Sequence, residues 1–199
     1  MKNRLLDSRE FFRLLQGRSA RNAERIDRVL RDRAERDVTI FMSDSSGFTR
    51  KTHEYGIAQF LAVMTQHHRR LFPVFRKHRG EVLSTAADNL LAIFEDPADA
   101  LKASIEIQKR LRRSNVGKRD EDQFHLCIGI ECGRAIVLKD NAYGACVNVA
   151  SKLGEDLAGK GKILVTGSVA SRVKRRFRCA YDRTAEIGGR PFELYRVRY

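Results

Sequence analysis

Asp44 follows Val38 to Met42, a run of β-branched and apolar residues that reads as a buried strand, and it stands within the small polar stretch Ser43-Asp44-Ser45-Ser46-Gly47-Phe48-Thr49. A carboxylate at a strand end, followed by a glycine turn and then a helix, suits a divalent cation and a polyphosphate. The aspartate offers a hard oxygen ligand. Backbone N–H groups of the turn and of the next helix can face phosphate oxygens. The same residue would also serve as a plain helix cap, so Asp44 does not decide the matter alone. Asp88 is the second candidate. It sits in the turn Ala86-Ala87-Asp88-Asn89, between a strand over 81–85 and a returning strand over 90–94. Aspartate at a hairpin tip is usually turn chemistry. Folded back beside Asp44, it would instead complete a two-carboxylate site for paired metals. His67 and His68 are adjacent and point in different directions on a helix, so they read as ordinary helix histidines.

The elements that must position these residues follow from periodicity. Residues 1–37 carry two short apolar stripes among dense Arg, Asp and Glu, and they read as two amphipathic helices broken near Gly17. Ile26, Val29 and Leu30, at i, i+3, i+4, give one of them a packing face; the arginines form a solvated face. A helix is expected from Gly56 to Lys77, with Pro73 as a point of kinking. Another is expected from Pro97 to Arg112, opened by Asp96 or Pro97. Phe124 to Ile130 alternates as a strand, with Ala135 to Leu138 as its hairpin partner after Gly133. Gly144 to Leu157 reads as a helix and Lys162 to Val165 as a strand. Gly167 to Val173 reads as a short helix, and the stretches 176–181 and 192–197 as closing strands. From Val38 to Ile130 the order is β-α-β-β-α-β, the ferredoxin-like arrangement, which predicts an α+β domain over 38–199 with helices on one sheet face and a helical segment over 1–37 before it.

At 199 residues the chain is long enough for one well-buried domain plus an appendage. No stretch has the length or apolarity of a membrane span or a signal peptide, which points to a cytoplasmic protein with no membrane partner. Cys127, Cys132, Cys146 and Cys179 show neither C-x-x-C pairing nor zinc spacing, and they read as reduced thiols. The formal charge of +14 calls for a polyanionic partner. Nucleic acid is disfavoured, because the basic run from Lys174 to Arg178 has only Phe177 as a stacking aromatic.

Four stretches carry a resemblance: VTIFMSDSSGFT, the hairpin VLSTAADNLLAIF, FHLCIGIECG, and YGACVNVASKLGED. In order and spacing they are similar to the class III nucleotidyl cyclase catalytic domain, the family of adenylate and guanylate cyclases. The resemblance covers about residues 38 to 199. It implies that Asp44 and Asp88 are the two metal-binding aspartates, holding two Mn²⁺ or Mg²⁺ ions, with the backbone carbonyl of Ser45 as a further ligand. Gly47-Phe48 would be the phosphate-facing turn, and Asn148 the residue that positions the ribose. Lys152 stands where the family usually has the arginine that stabilises the pentavalent α-phosphate. A point charge replaces a bidentate fork there, and the sign is kept. The resemblance also implies a head-to-tail homodimer, in which each site takes its metal aspartates from one chain and its other residues from the second.

The base-reading positions depart from the family. Adenylate cyclases of this kind place Lys at the position of Ser84 and Asp at that of Asn141; guanylate cyclases place Glu and Cys there. Neither pair is present. Arg134 and Tyr143, separated by eight residues, resemble the pyrimidine-specifying pattern of the bacterial Pycsar cyclases, which make cyclic UMP or cyclic CMP in antiphage defence. The expectation is therefore a uridylate cyclase that takes UTP, with a separate effector protein activated by its product. Two alternatives stay open: an adenylate cyclase with a divergent base pocket, and a catalytically inactive regulator that keeps the fold.

Overall fold

Asp44 lies near the end of the central strand of a twisted sheet. The computed structural model describes residues 5–199, so the first four positions of the 1–37 segment lie outside the described residues. The central strand, β1 (Glu35–Ser45), is antiparallel to β3 (Asn89–Phe94) on one side and to β4 (Leu126–Val137) on the other. With β2 (Glu81–Ala86), β5 (Ala142–Tyr143), β6 (Ile163–Thr166), β7 (Arg178–Ile187) and β8 (Arg190–Arg198), the strand order is β2-β3-β1-β4-β6-β8-β7, and β5 pairs with β4. The first four strands thus stand in the ferredoxin-like order, and β6 extends them by pairing parallel to β4.

Alternation along the strands divides the core in two. Phe41, Leu90, Phe94, Ile128 and Ile130 face α4 (Ile57–Lys77) and α5 (Pro97–Asn115). Ile40, Met42, Leu91, Ala135 and Val137 face the opposite way and meet Cys146, Val147 and Ala150 of α6 (Ala145–Lys152). Helices therefore cover both faces, not one. A third cluster joins Phe11 of α1 (Ser8–Gln16) and Ile26 and Leu30 of α2 (Ala23–Ala34) to Leu138 just past β4. The first helix is set by a capping box, in which Asp7 accepts from the Glu10 backbone at 2.8 Å and the Asp7 N–H donates back to Glu10 Oε2 at 3.2 Å. Asp96 caps the Ala98 N–H at 2.8 Å and Pro97 occupies the first turn, so α5 starts where expected and runs three residues further than Arg112.

Several expected boundaries move. Pro73 does not divide α4, whose last turns are anchored by the buried Val74 and Phe75. The segment before it forms its own helix, α3 (Phe48–Tyr55), separated from α4 by Gly56. The hairpin expected at Gly133 is absent, since β4 runs straight through to Val137. That glycine serves packing: a Cβ there would lie 3.1 Å from the Cys146 Cβ of α6. The short strand β5 takes the expected partner's role, with Tyr143 opposite Ile136. The helix expected over 144–157 is α6 followed by a π-helical turn, Leu153–Leu157. The closing strands form a longer hairpin, β7 and β8, after α7 (Gly167–Val173). Among the described residues, no helix is long and apolar enough to cross a membrane, and the four cysteines are free thiols.

Candidate active site

The register of β1 against β3 pairs Ser43 with Leu90, which carries the strand ends Asp44-Ser45 alongside the hairpin tip at Asp88. Ser45 Oγ donates to Asp88 Oδ2 at 2.6 Å, and Asp88 is 8% exposed. Asp88 lies close enough to act on the Asp44 carboxyl. Burial first, then the hydrogen bond and the negative charge of Asp88, push the Asp44 carboxyl up to about 7. The tip that presents Asp88 is tight: Ala87, not a glycine, holds a left-handed φ of 51°.

After Ser45 the chain turns at Gly47, with φ 86°, and enters α3 at Phe48. A residue with a Cβ would be strained there. Phe48 is fixed edge-on against Phe60 at 4.8 Å. Lys51, 4% exposed, holds α3 from behind by donating to the carbonyls of Asp120 and Gln123. This clamp was not foreseen, because a lone lysine in a polar helix carries no signal of burial. Glu155 was also missed. Its Oε1 accepts from Ser151 Oγ at 2.6 Å and from Asn89 Nδ2 at 3.1 Å, and its charge adds to the rise at Asp44. The Glu-Asp pair after Leu153 was the available clue, hidden because the π-helical turn shifts the facing of its residues.

Among the described residues, the other candidates make no hydrogen bond or ion pair to either aspartate. Asn148 and Lys152 are exposed and one turn apart on α6, hence on one helix face. Lys152 Nζ pairs with Asp156 at 2.6 Å and with neither Asp44 nor Asp88. Ser84 is half-buried on β2, beside a register shift between Val82 and Ser84. Arg134, Asn141 and Tyr143 form a third group against the N-terminal segment. Arg134 Nε lies 3.3 Å from Glu35 and 3.6 Å from Asp37. Asn141 Nδ2 donates to the Tyr143 hydroxyl at 3.1 Å, and the Tyr143 ring stacks on Phe11 at 5.9 Å.

The aspartate pair fits a hard divalent cation. Asp88 is buried and Asp44 half-buried, among the described residues no lysine or arginine bonds either, and the burial and repulsion that raise Asp44 are what a bound cation would offset. Among the described residues no cluster of three or more ligating side chains forms. Few protein ligands suit an ion that is completed by phosphate oxygens and water.

The fold agrees with the comparisons. The family model for the adenylate and guanylate cyclase catalytic domain matches residues 30–198, and the chain belongs to that family. A curated relative, "Putative adenylate cyclase 3" of Rhizobium meliloti (strain 1021), is 23% identical over 139 residues, 70% of this chain. The chain spans only 24% of that relative's length. Among solved structures, the adenylyl cyclase CyaB from P. aeruginosa superposes with a TM-score of 0.72 at 20% identity, over 83% of this chain and 95% of that one. The guanylate cyclase domain of RhGC from Catenaria anguillulae, in complex with GTP, gives 0.71 at 18% identity, over 82% and 97%. At these identities the likeness is one of fold, the class III cyclase fold.

Proposed function

We propose that the chain is a nucleotidyl cyclase that converts UTP to 3′,5′-cyclic UMP and pyrophosphate. The observation that carries the reaction class is the placing of the half-buried Asp44 beside the buried Asp88, supported by Ser45, at the mouth of the Gly47 turn. These aspartates, with the Ser45 carbonyl, would hold Mg²⁺ or Mn²⁺. Bound divalent ions supply charge neutralisation for the triphosphate and acidify the 3′-hydroxyl. Amides at Gly47 and Phe48 face the phosphates. Asn148 orients the ribose. Lys152, once it leaves the exposed pair with Asp156, sets its charge against the equatorial oxygens of the α-phosphate. The 3′-oxygen then bonds to the α-phosphorus as its proton leaves to solvent and pyrophosphate departs. Asn148 and Lys152 are exposed and Lys152 is paired with Asp156; in this reading a second copy of the chain supplies them, in a homodimer with two equivalent sites.

The base assignment rests on Ser84 and Asn141 in place of a purine-reading pair and on Arg134 with Tyr143. An arginine has only donors. Uracil offers an O4 acceptor where cytosine offers an amino group, so Arg134 favours UTP. Its ion pairs with Glu35 and Asp37 are exposed and therefore weak, so its donors are available. In this reading cyclic UMP activates a separate effector in antiphage defence, a setting that rests on the Arg134–Tyr143 spacing alone. A second reading, ATP as substrate, is favoured by the name of the curated relative. Purified protein with Mn²⁺ and each of ATP, GTP, CTP and UTP, with products identified by mass, separates the two. Cyclic UMP, lost in Asp44→Ala, is expected. Cyclic AMP would leave the metal site standing and remove the uracil assignment. No product from any nucleotide would overturn the activity.

A further inference from the structure

The residues offered for base reading are also the ones that the N-terminal segment holds. Tyr143 stacks flat on Phe11, with centroids 5.9 Å apart and planes at 9°, and meets Phe12 edge-on at 5.9 Å. Asp140 caps the other side of α1, accepting from the Ser8 N–H at 3.0 Å and from Ser8 Oγ at 2.8 Å. The Lys139 N–H donates to the Leu6 carbonyl at 2.9 Å, and its ammonium lies 3.9 Å from both Asp7 and Glu10. Leu138 is fully buried among Leu6, Phe11 and Ile26. Arg134 reaches Glu35 and Asp37, at the junction of α2 with β1. Every turn residue from Leu138 to Tyr143 except the inward Ala142 and Asn141 thus touches residues 6–12 or 26. Asn141 is tied in at one remove, through Tyr143.

We propose that α1 is a positioning element for the nucleotide base: it fixes the 138–143 turn so that Asn141 and Tyr143 keep one geometry, and base selectivity depends on it. This rests on the base-reading assignment made above. A free two-residue strand such as β5 has little to hold it, being bonded to the sheet only through Ile136 and Val137. The capped helix and the ring stack supply the constraint. An aromatic stack and two bonds to Asp140 each favour the held turn over the free one by about 5-fold. Loss of the stack alone should therefore loosen the turn by about 5-fold.

The test uses the full chain with Phe11→Leu, which keeps an apolar residue in the cluster and removes the ring, and Asp140→Ala, which removes the cap. Asn141→Ala and the remote core variant Val173→Ala accompany them. Amide hydrogen exchange over 138–143, thermal midpoints, and kcat and KM for each of the four nucleoside triphosphates with Mn²⁺ are measured. The expected result is about 5-fold faster exchange in the turn. With it, KM for the preferred nucleotide rises and base discrimination shrinks in Phe11→Leu and Asp140→Ala, whereas Val173→Ala lowers only the thermal midpoint. Phe11→Tyr should restore discrimination. Unchanged exchange in both α1-contact variants overturns the proposal. So does faster exchange with unchanged discrimination where Asn141→Ala does change it, because the turn would then read the base without help from α1. If Asn141→Ala leaves discrimination intact, it is the base-reading assignment that fails, and the proposal falls with it.

Discussion

Ala87 holds a left-handed backbone, φ 51°, beside Asp88 at the hairpin tip. That conformation costs an L-residue roughly 1–2 kcal/mol, which glycine avoids while losing part of the gain to unfolded-state entropy. Ala87→Gly should stabilise the chain by about 0.5 kcal/mol in urea titrations, with the gain in the midpoint and not in the slope. A second residue-scale expectation concerns the buried imidazoles. Burial first, then Lys118, Arg70, His68 and His125, pushes His67 down to about 4, and burial with Lys160 and Lys51 does the same to His125. Unfolded histidines bind protons near pH 6.5 and these two only near 4, so between those values the unfolded chain holds more protons. The stability contributed by these two rings is therefore complete above about pH 6.5 and falls as pH drops toward 4, by at most about 1.4 kcal/mol per pH unit for each ring, and it is partly offset by Asp44, which binds protons more readily when folded. His67→Phe, which keeps the stack on Phe124, should remove about half of that slope in denaturation at pH 7 and pH 5. An equal slope in the variant would assign the acid sensitivity elsewhere.

Helix α6 reaches its place because two glycines let backbone meet backbone. A Cβ at Gly129 of β4 would overlap the Ala150 carbonyl, and one at Gly154 would sit 2.8 Å from the Met42 carbonyl of β1. Gly129→Ala should cost about 3 kcal/mol and displace Asn148 and Lys152 together. Thermal melts would show the first effect and a fall in kcat the second. Such contacts mark the border of what the amino-acid order made legible. The strand, hairpin and helix from Val38 to Ile130 could be read from alternation and capping residues, whereas these patterns left the pairing of Asp44 with Asp88 open and only the resemblance to a family implied it. Gly133 could not, because a glycine that makes room for Cys146 looks the same in one dimension as a glycine that turns a chain. The two-sided covering of the sheet was missed for the same reason: the inward face of α6 is built from small residues, Cys146, Val147 and Ala150, and gives a faint stripe. Lys51 and Glu155 owe their places to partners far along the chain, Asp120 and Gln123 for one and Asn89 for the other.

At the scale of the whole molecule, the proposed homodimer draws the aspartates of each site from one chain and Asn148 and Lys152 from the other. Mixing inactive Asp44→Ala with inactive Lys152→Ala should restore about a quarter of the wild-type rate, since half the dimers formed are mixed and each has one intact site of two. No recovery after mixing and re-equilibration would mean that each chain works alone. The topology has one more consequence, for the making of the chain. β1 pairs along its full length with β4, and the two strands are separated by everything from α3 to α5. Closing so long a loop before its contacts form slows folding. During synthesis, both aspartates leave the ribosome well before the strand that locks β1 in the sheet's middle. A nascent chain halted ahead of Leu126 would carry Asp44 and Asp88 with only the β1–β3 ladder to hold them, and its apolar β1 edge would be open to other chains until β4 arrives.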